Sequence, residues 1–311
     1  MQFFKFFLIL LFASYLLLLV SMLTRRFLRR KVSETTRPKR DSLCGDDSEA
    51  IIQVLEVKKS FDHPVLKSVT LPVYCGETVG VLGKSGTGKS VLLKLIAAFL
   101  KPDSGSILFR GEDITNMAEQ DLLEFRKQVS YVFQGGAFFD FLNVRENVAY
   151  PLRERETLNE AQIRTRVDYL LDAVELEGMG DLIYDERSAG AKKQVAIARA
   201  IAINPAVILY DEPTTGVDPI IGKSLSRLIK KLGTRENLTS IVVTHDLKCL
   251  EIVSDRIVLL KDGFVRFEGT VEDFMASQDP FVEAFRSGRR FEEASVEHTL
   301  SVPGPRTTQR S

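Results

Sequence analysis

Hydrophobic positions follow three rhythms along this chain. Phe6 to Leu23 is a single run of 18 residues without a charge, nearly all apolar, which reaches the lower range for a membrane-spanning helix. From Ile51 onward the apolar residues come in short stretches bounded by turn residues. Ile51–Val57 predicts a strand, and Val69, Leu71 and Val73 alternate with Thr70 and Pro72 to predict another with one apolar face. Pro72 cannot donate to a ladder, so it predicts an edge position for that strand. Thr78–Leu82, Ile107–Phe109, Val129–Phe133, Val207–Tyr210 and Ser240–Thr244 are continuous enough for buried strands. The third rhythm is helical. Ser90–Leu100 is almost wholly apolar, and Asn143–Leu158, Glu160–Glu177 and Lys192–Ile203 complete the set. Val167, Leu170, Leu171 and Val174 keep the i, i+3, i+4, i+7 spacing, and Pro151 predicts a break between Asn143–Leu158 and Glu160–Glu177. Phe138-Phe139-Asp140-Phe141-Leu142 is unusually aromatic. Exposed, it suits a groove that grips a partner helix; buried, it is core.

Charge changes this picture locally rather than globally. Lys+Arg and Asp+Glu balance at 42 each in 311 residues, which gives no reason to expect a nucleic-acid partner. Thr24 to Lys31, however, holds five cations in eight residues directly after the apolar run. The positive-inside rule puts that end in the cytoplasm. The expectation is a transmembrane anchor at 1–24, a basic and polar linker at 25–48, and a catalytic domain at 49–288 on the cytoplasmic side of an inner or plasma membrane. A cleaved signal peptide is the rival reading, and Ser21-Met22-Leu23-Thr24-Arg25 makes a poor cleavage site for it. Residues 289–311, polar and with two prolines, read as a disordered tail. Cys44, Cys75 and Cys249 have neither metal-ligand nor C-x-x-C spacing, so reduced thiols are expected.

The chemistry begins at Gly83-Lys84-Ser85-Gly86-Thr87-Gly88-Lys89-Ser90, which fits the phosphate-loop pattern G-x-x-x-x-G-K-[ST] between a strand and a helix. Glycines let the backbone approach phosphate oxygens, and successive N–H groups at a helix N-terminus face the anion. Lys89 would then reach the β- and γ-phosphates of ATP, and Ser90 would hold Mg²⁺. Gln134 ends a strand, where its amide is placed to ligate Mg²⁺ or orient a water. Val207–Asp211 is an apolar run ending in an acid, which delivers Asp211 to Mg²⁺ and leaves Glu212 to polarise an attacking water. His245 follows another buried strand and is placed to contact the γ-phosphate as a neutral donor. Ser188 and Gly190 precede a helix, where small residues suit an anion or a plain cap. Phe61 is either an adenine-stacking aromatic or a core residue.

Together these residues resemble the ATPase subunit of ATP-binding cassette (ABC) transporters, over about Ile51 to Gly288. In that light Gly83–Ser90 is the Walker A loop, Gln134 the Q-loop, Val207–Asp211 the Walker B strand, Glu212 the catalytic glutamate, Gly216–Asp218 the D-loop, His245 the switch histidine and Phe61 the adenine-stacking residue. The resemblance implies an α/β P-loop NTPase fold with a RecA-like core, an antiparallel β subdomain and a helical subdomain at about 136–188, here preceded by a hydrophobic N-terminal helix. It also implies a second ATPase domain as partner, in a homodimer that sandwiches two ATP. The signature segment departs from the family's L-S-G-G-Q. Arg187, Ala189 and Ala191 replace the leucine, first glycine and glutamine, while Ser188 and Gly190 remain. Weakened sandwich closure and slow, Glu212-dependent hydrolysis are the expectations. Tyr131–Asp140 and Asn147–Glu154 further resemble the ATPase of Mla-type phospholipid transport systems, as does Gln278–Phe281 leading to Phe285–Gly288. That implies a polytopic permease docking near Gln134–Leu142 and a substrate-binding protein of the mammalian-cell-entry (MCE) type. The alternatives are an ABC ATPase for an amino acid or peptide, and a regulatory subunit that binds ATP without turnover.

Overall fold

The computed structural model describes residues 50–155, 157–183 and 189–287. The apolar run Phe6–Leu23, the linker, Arg187, Ser188 and the segment 289–311 lie outside the described residues. No helix among the described residues is long and apolar enough to cross a membrane.

Ten strands are described: β1 (Ala50–Ser60), β2 (Pro64–Tyr74), β3 (Thr78–Leu82), β4 (Ser104–Phe109), β5 (Glu112–Asp113), β6 (Val129–Val132), β7 (Val207–Asp211), β8 (Thr239–Thr244), β9 (Arg256–Lys261) and β10 (Phe264–Thr270). The described helices are α1 (Lys89–Ile96), α2 (Glu119–Arg126), α3 (Val144–Glu154), α4 (Glu160–Ala173), α5 (Ala189–Ala202), α6 (Pro219–Glu236), α7 (Leu247–Val253), α8 (Val271–Ala276) and α9 (Pro280–Ser287). They fall into two compact units. One comprises the described residues up to Gln134 and from Ala206 onward, and the other the described residues between Gly135 and Pro205.

The first unit contains every strand, in the order β5-β4-β1-β2-β10-β9-β3-β8-β7-β6. At one end β5, β4, β1 and β2 pair antiparallel. At the other, β9, β3, β8, β7 and β6 run parallel. Every residue of β3, β7 and β8 is buried. Parallel strands covered on both faces lose the polar alternation, so they appear in the sequence as unbroken apolar runs. Their register brings their carboxyl ends together: Leu82 pairs with Thr244, Asp211 with Val243 and Val132 with Tyr210. In open α/β sheets ligands bind outside those carboxyl ends.

Pro72 does not mark an edge strand. β2 lies between β1 and β10. Pro72 pairs with Gln53 of β1, but the only β2–β10 register pair is Ser68 with Phe264. The proline sits where β2 has run past its second partner, so no ladder bond needs its missing N–H.

The second unit is helical, with α3 packed against α4 and α5. Pro151 does not break α3; it lies inside it. The helix is started firmly by a capping box, in which the Asn143 side chain accepts from Glu146 N and Glu146 reaches back to Asn143 N. Its buried face, Val144, Asn147, Val148, Ala149 and Leu152, continues past the proline. Burial of that face outweighs one lost backbone hydrogen bond, although the helix stops at Glu154 rather than Leu158. Of the cysteines, Cys249 is a free buried thiol whose pKa burial pushes up to about 11. Cys75 is disulfide-bonded, against the expectation of reduced thiols.

Candidate nucleotide site

The loop Gly83–Ser90 leaves the end of β3 and enters α1. Gly88 caps that helix in the left-handed region, at φ 95°, and a Cβ there would lie 2.7 Å from Leu66 Cδ2. At Gly86, φ 81°, a Cβ would meet nothing within 4 Å, so the backbone there is open to an approaching group. Thr87 Oγ1 donates to Lys84 O at 2.9 Å and tightens the turn that includes Ser85. Lys89 is 5% exposed. Its ammonium donates to Gly83 O at 2.9 Å and Lys84 O at 3.0 Å, and lies 3.6 Å from a Glu212 carboxylate oxygen. Burial lowers its pKa and outweighs the raising effect of Glu212 and Asp211. A phosphate beside it would supply the missing negative charge.

Two acids stand at the end of β7. Asp211 is 6% exposed, and each of its oxygens is held. The Ser90 hydroxyl donates to Oδ1 at 2.7 Å, and the Tyr131 hydroxyl donates to Oδ2 at 2.8 Å. Burial, then the contact with Asp211, raises the Tyr131 pKa and keeps the phenol a donor. Glu212 adopts φ 49°, a conformation uncommon for a residue with a Cβ. Its N–H donates to Val243 O at 2.9 Å. Its Oε2 accepts from Thr215 Oγ1 and from Thr244 Oγ1, each at 3.0 Å. His245 Nδ1 lies 2.9 Å from the same oxygen and 3.1 Å from Oε1. Burial opposes ionisation of Glu212, but hydrogen bonds from His245 and Thr215 and the nearby Lys89 charge outweigh it, so its pKa lies below the usual glutamate value.

The arrangement thus gathers Lys89, Ser90, Asp211, Glu212 and His245 around the carboxyl ends of adjacent parallel strands. Gln134 lies exposed beyond the end of β6. Phe61 is 56% exposed, with the Lys59 ammonium 5.7 Å from its ring centroid; it is not a core residue. Gly190 lies in the first turn of α5, and Ser188 is outside the described residues. Phe141 is 79% exposed, and Phe139 lies 5.9 Å from its ring and 4.9 Å from that of Tyr150, which makes the aromatic stretch a surface feature. Three residues of the site have no role that the sequence assigned: Tyr131, Thr215 and Thr244. Thr244, next to His245 at a strand end, was the one with a positional signal. Tyr131 emerges only from the pairing of β6 with β7.

A protein-family model described as "ABC transporter" matches residues 66–215. The chain is 41% identical over 239 residues to the intermembrane phospholipid transport system ATP-binding protein MlaF of Haemophilus influenzae, covering 76% of this chain and 90% of that protein. It is 39% identical over 241 residues to the sulfate/thiosulfate import ATP-binding protein CysA of Synechococcus elongatus, covering 77% of this chain and 68% of that one. Among solved structures it resembles the ATP-binding cassette MJ0796, captured as a dimer in a post-hydrolysis state bound to ADP and Pi. There the TM-score is 0.65 at 32% identity, over 71% of this chain and 98% of that one. Phosphate loop, acid pair and histidine at adjoining strand ends, and these relatives across most of their length, lead to one conclusion: the chain belongs to the ABC transporter family, as one of its ATP-binding, ATP-hydrolysing proteins.

Proposed function

We propose that this chain drives phospholipid transport between membranes as the ATPase of an Mla-like complex. The observation that carries this reading is the 41% identity to MlaF over 90% of that protein's length. In this reading ATP binds with its phosphates on the Gly83–Ser90 backbone N–H groups and the N-terminus of α1. Phe61, exposed and upstream of the loop, stacks on adenine. Lys89 neutralises charge on the β- and γ-phosphates. Glu212 accepts from a water and aims it at the γ-phosphorus, and its lowered pKa keeps it ionised for that task. His245 donates to the γ-phosphate.

The oxygens present fit Mg²⁺. The Ser90 hydroxyl and the Asp211 carboxylate are hard donors 2.7 Å apart. That suits an ion held by few protein ligands and completed by phosphates and water. Ser90, Asp211 and the amide oxygen of Gln134 would hold it. When bound it neutralises charge on the transferring phosphoryl oxygens. Ser188 and Gly190 of a second copy complete the site in a homodimer. The exposed aromatics Phe139, Phe141 and Tyr150 receive a polytopic permease, an MCE-type protein carries the lipid, and Phe6–Leu23 anchors the chain with its ATPase facing the cytoplasm.

A second reading, an ABC ATPase serving a different substrate, draws on the CysA relative, whose 39% identity is close to that of MlaF. One experiment separates the two. The full chain is tagged, extracted gently from its own membranes, and its co-purifying proteins and lipids are identified. A permease together with an MCE-type protein and bound phospholipid is the expected result. A permease without lipid discards the Mla-like reading and keeps the motor. Absence of any permease turns attention to an ATP-binding regulatory role.

A further inference from the structure

We propose that Tyr131 is a positioning residue for the metal-binding carboxylate: its hydroxyl fixes the plane of Asp211 and so sets the affinity of the site for a divalent cation. The inference rests on the reading of Asp211 and Ser90 as the cation's protein ligands. Asp211 is nearly fully buried, and its two oxygens have separate donors, Ser90 on Oδ1 at 2.7 Å and Tyr131 on Oδ2 at 2.8 Å. A carboxylate terminal torsion is broad and twofold. With Ser90 alone the group can rotate about its axis; with a second donor on the opposite oxygen it cannot. Donors that hold a ligating carboxylate from behind typically matter 10–100-fold, in order of magnitude, for metal affinity or activity.

Tyr131 is well placed to act as such a stop. It pairs in register with Leu209 of β7, so its side chain reaches two residues along the strand to Asp211, a diagonal that long aromatic side chains span. Its ring is fixed in turn. Phe133 lies 4.4 Å away and Phe99 5.5 Å away, and those two rings stack on each other at 6.2 Å and 2°. Phe99 follows α1, the helix that carries Ser90. One donor to Asp211 thus lies in that helix, and the other packs on a ring just beyond its end.

The test is Tyr131→Phe, which removes one oxygen and leaves the ring. Mn²⁺ is titrated into the full chain with a non-hydrolysable ATP analogue, and free ion is read by electron paramagnetic resonance. The expected result is an apparent Mn²⁺ Kd raised about tenfold, with analogue binding in EDTA within error of wild type and a melting temperature lower only by the loss of one hydrogen bond to a buried carboxylate. Asp211→Asn is run alongside, and Tyr131→Phe is expected to add nothing to it. If Asp211→Asn weakens Mn²⁺ binding and Tyr131→Phe does not, the positioning role is overturned. If Tyr131→Phe weakens analogue binding in EDTA as much as it weakens Mn²⁺ binding, the hydroxyl is a packing group and the proposal is also overturned. If Asp211→Asn leaves Mn²⁺ binding unchanged, the ligand assignment itself fails and the inference falls with it.

Discussion

Glu212 holds a backbone conformation that costs an L-residue about 1–2 kcal/mol, and it does so with its carboxylate already met by Thr215, Thr244 and His245. Thr244 is fully buried and acts in both directions. It donates to Glu212 Oε2 and accepts from Asp246 N at 3.1 Å. Thr244→Val keeps the shape and removes both contacts. A hydrogen bond to a charged group contributes about 1.5–3 kcal/mol, so kcat for ATP is expected to fall about tenfold or more with KM little changed. Thr244→Ser should restore it; a valine variant with wild-type kcat would remove Thr244 from the mechanism. Glu212 also makes stability depend on pH. Its folded pKa lies below the ordinary value of 4.5, so the unfolded chain binds its proton first as pH falls. The carboxylate stabilises the fold above pH 4.5, and that contribution drains away below it, as pH drops toward and through the folded pKa. Melting temperatures of Glu212→Gln should fall less than those of wild type on acidification through that window. The same variant should hydrolyse ATP far more slowly, and equal turnover would sink the assignment of Glu212. The acids and the histidine were legible in the sequence because each follows a recognisable buried run. Tyr131 was not, because its role depends on which strand lies beside β6, and no local pattern encodes a neighbour.

At the level of elements, strands were easier to read than the prolines within them. β3, β7 and β8 are covered on both faces and leave an unmistakable apolar run. At Pro72 and Pro151 the rules for isolated strands and helices give way to the tertiary surroundings: one lies beyond β2's pairing with β10, the other on a helix held by its buried face. In α3 the start of the helix is fixed by more than its cap. Asn147 is fully buried and holds the aromatic stretch in place. It accepts from Phe139 N at 3.0 Å and donates to Phe139 O and Leu142 O at 3.1 Å and to Asn143 O at 3.0 Å. Asn147→Leu preserves volume but removes the side-chain partner of Phe139 N and Leu142 O, while Phe139 O keeps Leu142 N and Asn143 O keeps Asn147 N. Each unsatisfied buried group costs about 1–3 kcal/mol, so a loss of about 2–4 kcal/mol is expected in thermal or denaturant melts. The Phe139 amide should also exchange with solvent much faster than in wild type, while amides in β8 keep their protection once the overall stability change is allowed for. Unchanged exchange at Phe139 would show that the stretch is held by its rings alone.

For the molecule as a working assembly, the segment to watch is the altered signature. In the resemblance to ABC ATPases its serine and backbone N–H groups close the second copy's site. Here Ala189 opens α5, with Gly190 next to it and Ala191 following. An alanine keeps the N–H but narrows the backbone choices that glycine allows. Closure of the nucleotide sandwich is therefore expected to be weak in wild type and improved by Ala189→Gly with Ala191→Gln. The measurement is light scattering across a range of chain concentrations, in the Glu212→Gln background with ATP and Mg²⁺ so that the substrate persists. Glycine in a first helical turn costs about 0.5–1 kcal/mol of local stability, so melting curves accompany it. A gain of 1.4 kcal/mol in association lowers the concentration at half-dimer tenfold, and a drop of about threefold to tenfold is the expected result. Turnover of the same double variant with Glu212 intact should rise in parallel, because in the proposed homodimer tighter closure would bring Glu212 and the second copy's serine to one γ-phosphate. If dimerisation improves and turnover does not, closure is not what limits this ATPase. If neither moves, the two alanines are no handicap.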